Sequence, residues 1–242
     1  HSKGLSNVPL YVDSDLYKDS VINFLSSPFS KVKLFEEGFY SYVTDQTSHM
    51  VRNGKSLRYL IYAIFALPKG LGYSRWTDSV YLYRPNASKL NKTLGIEKDF
   101  MEYCNDYFSI ICKVFDLEFD FSCLAFDKKT SLSLYCSGPD VEVVKRNVKN
   151  MDFDIVKLHP ALASLDEEAG KSAFVWKESN VPIELIVILL LQKFNTIKFY
   201  HENSTAVLYL QTLKSCVECL NIGSYVEGYD AEFEAVREFF SK

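Results

Sequence analysis

The chain has 242 residues, 48% hydrophobic and 24% charged, which excludes a largely disordered polypeptide and allows one large domain or two small ones. Its net charge of −4 lacks the basic excess of most nucleic-acid binders, and no apolar run reaches the ~20 residues a bilayer needs. Sixteen Tyr and eighteen Phe promise a substantial core, and only ten Gly and seven Pro favour continuous elements over long loops.

In chain order, apolar spacing predicts a first helix over residues 15–26, capped by Ser14. Strands over 31–35 and 39–43 flank Glu36-Glu37-Gly38 and read as a hairpin. A second helix over 57–67 stops at Pro68, and a strand over 79–83 follows. A third helix, 97–115, places Phe100, Cys104, Tyr107, Phe108 and Ile111 on one stripe. Strands over 117–126 and 131–136 flank residues 127–130, a second hairpin. A fourth helix, 141–150, is capped by Asp140, and strands over 153–158 and 173–177 follow. A fifth helix, 182–194, is apolar nearly all round and reads as central and buried. Strands over 196–201 and 205–210 flank Glu202-Asn203-Ser204, a third hairpin, before helices over 212–221 and 231–240.

Helices thus open near residues 15, 57, 97, 141 and 182, about every 42 residues, each followed by extended structure. The pattern predicts an α+β protein with antiparallel or mixed sheets, helices packed on a face, and helix–strand–strand pseudo-repeats. Residues 1–242 read as a single domain, with a possible subdivision into 1–90 and 91–242.

Three constellations invite chemistry. Asp116, Glu118 and Asp120 alternate with apolar residues and would share one strand face, as a divalent cation requires. With Asp127 and Lys129 they resemble the arrangement of metal-dependent nucleases, so a phosphodiesterase using the 116–129 hairpin is the alternative function. The solvated face of an antiparallel strand alternates in the same way and is the simpler reading. Lys145, Arg146 and Lys149 share a helix face that could meet an acidic partner or a phosphate backbone. Tyr73 and Trp76, in a polar turn, suit a protein interface.

Other motifs fail on mechanism. Gly170-Lys171-Ser172 has Leu165 where a phosphate-binding loop needs glycine. Cys216 and Cys219 form a lone pair, read as two helix residues, and the six cysteines read as reduced thiols. Gly70-Leu71-Gly72 reads as a turn or helix cap, and His159 and His201 as surface or loop residues. The start at His1 suggests a longer parent or a trimmed tag, and Ser48-His49-Met50 is open to reading as a cloning scar or as native. The expectation is a non-catalytic interaction domain or scaffold subunit of an assembly in the cytoplasm or nucleus. Its partners would be other protein subunits, with no cofactor, and a nucleic-acid-binding module is the weakest alternative.

Overall fold

A computed structural model describes residues 10–12, 31–36, 41–42, 72–73, 77–115, 117, 130–162, 174–176, 181–202, 204–223, 235–236 and 238. Contacts divide the chain into two units, His1–Lys98 with Glu227–Lys242, and Asp99–Val226.

Among the described residues the first unit holds four strands: β1 (Leu10–Val12), β2 (Val32–Phe35), β3 (Thr77–Leu82) and β4 (Thr93–Gly95). They pair in the order β1-β2-β3-β4, all parallel. Alternation sends Val32, Leu34, Val80 and Leu82 to one buried face. Gly72 packs there with φ +80°; a Cβ would stand 2.8 Å from Val80 Cγ2, so only glycine fits. Val32 pairs with Thr77 but Lys33 with Ser79, so Asp78 is an extra residue at a bulge, 3.5 Å from Lys31 Nζ.

Among its described residues the second unit holds five strands: β5 (Ser131–Cys136), β6 (Ile155–Lys157), β7 (Phe174–Trp176), β8 (Thr196–His201) and β9 (Val217–Asn221). Their order is β7-β6-β5-β8-β9, again all parallel. Its helices are α1 (Phe100–Asp106), α2 (Phe108–Val114), α3 (Val141–Asn150), α4 (Ile183–Leu191) and α5 (Val207–Leu210). The Asp140 carboxylate accepts the Glu142 amide at 3.0 Å and opens α3, as its position predicts. Val144 and Val148 of α3 pack with Tyr135, Phe153 and Val156 on one face of the sheet. Leu132, Leu134, Ile155 and Phe199 project to the other face and are fully buried too. Every residue of α4 from Leu185 to Leu190 is buried, as its uninterrupted apolar run predicts. Among the described residues no helix is long and apolar enough to cross a membrane.

The antiparallel or mixed α+β fold is therefore overturned: both sheets are wholly parallel. The 36–38 hairpin does not form, because β2 pairs with β1 and β3 and Ser41 and Tyr42 lie in a 3-10 turn. The 202–204 hairpin fails because Val207–Leu210 is helical with all four side chains buried. A four-residue apolar run fits a strand or a buried helical turn equally well, and burial decided. Residues 212–221, predicted helical, instead end a 3-10 turn (Gln211–Leu213) and form β9 alongside β8. The stripe over 97–115 breaks at Tyr107 into two seven-residue helices, of which α1 buries Met101 and Cys104 and α2 buries nothing. The helix–strand–strand beat consequently fails in the described residues. The first two helices, the hairpin over 127–130 and Ser48-His49-Met50 lie wholly or almost wholly outside them.

Candidate functional site

In an open parallel sheet, ligands bind beyond the carboxyl ends of the strands, where the strand order reverses. In the second unit that point lies between β5 and β8. The last residues of all five strands, Trp176, Lys157, Cys136, His201 and Asn221, pair in register and so share one face. His201 stacks on Phe199 at 5.5 Å, and its Nδ1 accepts the Ser204 amide at 3.3 Å. It is a buried residue, 3% exposed, not the surface or loop histidine its sequence position suggests. Lys157 is buried as well and donates to the Leu158 carbonyl at 3.1 Å.

Burial shifts the titration of two of these groups. Burial pushes the Cys136 thiol up to about 12, against an attraction to Lys157. A thiol that keeps its proton is a poor nucleophile. Burial lowers the Lys157 ammonium and raises the carboxyl of Glu184, which opens α4. Among the described residues no three His, Cys, Asp or Glu side chains converge on a metal position. Cys216 and Cys219 are unbridged, and Cys219 lies in β9 rather than in a helix.

Side chains and loops meet at the reversal. Glu202, just after β8, accepts from the Tyr135 hydroxyl and from Asn147 Nδ2, the latter at 3.1 Å. A Cβ at Gly138 would lie 2.6 Å from Glu202 Oε2, and one at Gly223 2.8 Å from its Cα. The loops after β5 and β9 thus close on Glu202 through glycines. Burial, then the bond to Glu202, raises the Tyr135 phenol. The first unit has a like device: Tyr42 donates to Glu36 at 2.5 Å, and the Tyr83 amide donates to the same oxygen at 2.7 Å. Burial and Glu36 raise the Tyr42 phenol.

The other notable surface is the second face of the first sheet. Phe35, Tyr81 and Leu94 stand in register across β2, β3 and β4. Phe35 is 45% exposed and Leu94 46%, and the Phe35 and Tyr81 rings stack at 5.2 Å. Lys33 donates to the Tyr81 hydroxyl at 3.2 Å with its ammonium 5.6 Å from the ring centroid.

The sequence-predicted residues lie elsewhere. Lys145, Arg146 and Lys149 sit on α3 away from Val144 and Val148, with Lys145 Nζ 3.8 Å from Glu142. Tyr73 is exposed beside Gly72, which packs on the buried face of the first sheet. Trp76, Asp116, Glu118 and Asp120 lie outside the described residues, as does all of the 116–129 hairpin but Leu117. The row of Lys33, Phe35, Tyr81 and Leu94 escaped sequence reading, although residues 1–98 carry thirteen Lys and Arg against eight Asp and Glu, and the remainder fourteen against twenty-three. Lys157, alone in an apolar strand, was a signal for the buried cluster. Compared with protein-family models and with curated proteins, the chain matches none.

Proposed function

We propose that the protein is a non-catalytic interaction domain that holds another protein against the open face of its first sheet. The observation that carries this is the row of exposed Phe35 and Leu94 with half-buried Tyr81 between them on an all-parallel sheet, an architecture that ordinarily buries both faces. Aromatic side chains ringed by polar ones suit the centre of a protein interface. The second unit supports the same reading. At its switch point Glu202 is bonded by Tyr135 and Asn147, and burial holds the Cys136 thiol in its protonated form.

A photo-crosslinking residue placed at position 35 or 94 in the native cell should yield an adduct with another polypeptide. The same residue in place of Arg146, on the exposed side of α3, should not. Leu94→Arg should abolish the adduct formed from position 35 without lowering the melting temperature. Absence of any adduct from positions 35 and 94 would sink the reading.

A further inference from the structure

We draw no further inference here: the strongest candidate, the exposed apolar stripe of Tyr107, Ile110 and Val114 along α2, is a helix face for which nothing in the structure shows what covers it.

Discussion

The two sheets use the same kind of strand and end with opposite exposures. Leu34 of β2 and Leu134 of β5 are equally buried, yet Phe35 is 45% exposed while Tyr135, at the matching position after its leucine, is fully buried. Both are aromatic, and both follow a buried leucine in a parallel strand. The strand orders differ as well. The second sheet reverses direction at β5, so its crossovers go to both faces and α3 covers Tyr135. The first advances from β1 to β4 without reversal. What roofs Tyr135 is thus a helix from elsewhere in the chain, not the strand that bears it.

The largest expected effect tests that contrast directly. Phe199→Ala removes a fully buried ring from the doubly covered sheet and should cost about 3–5 kcal/mol in urea unfolding. Phe35→Ala should cost less than about 1.5 kcal/mol, since nearly half of its surface already meets water. Equal costs would mean that the first sheet is roofed after all.

Next come the paired tyrosines. Tyr135→Phe removes one donor from Glu202, and Tyr42→Phe removes one from Glu36, so each should cost about 1–3 kcal/mol. Tyr42→Phe should cost the more of the two, because the Tyr42 oxygen accepts the Arg84 amide at 3.2 Å, whereas the Asn147 Nδ2 that bonds the Tyr135 oxygen at 3.2 Å also bonds Glu202. Glu202 keeps Asn147 in the other variant. Denaturation of the two variants side by side checks the order.

A smaller, pH-dependent effect belongs to the second sheet. The Cys136 thiol rises from an ordinary 9.0 to about 12. Between those values the folded state binds more protons than the unfolded state, so stability falls as pH rises above about 9. Wild type should therefore lose stability faster than Cys136→Ala from pH 9 to 11, by up to about 1.4 kcal/mol per pH unit. Cys104, also pushed up to about 12 by burial, is common to both proteins and cancels. Parallel pH curves would show that Cys136 ionises normally. The smallest effect is expected on α3, where Lys145→Ala should change stability by less than about 0.5 kcal/mol, its pairing with Glu142 being solvent-screened. A larger loss would mean that this face is covered.

Part of this was legible in the residues alone. Strand β5 and helix α3 fall at the predicted bounds, since Leu132 and Leu134 alternate and Val144 and Val148 recur at helical spacing behind the Asp140 cap. The buried α4 follows from its apolar run. The candidate interface was not legible: Tyr73, Lys145, Arg146 and Lys149 stood out for local reasons, whereas Phe35, Tyr81 and Leu94 become a surface only when three distant strands align.

Local sequence by itself determined where several elements start, stop and turn their apolar side, because caps and periodicity act within a few residues. Only the tertiary structure decided that strands divided by tens of residues pair in parallel, that Val207–Leu210 coils rather than extends, and that His201 and Lys157 are buried. Those outcomes depend on which neighbour arrives from far along the chain, and a short apolar run satisfies either partner equally well.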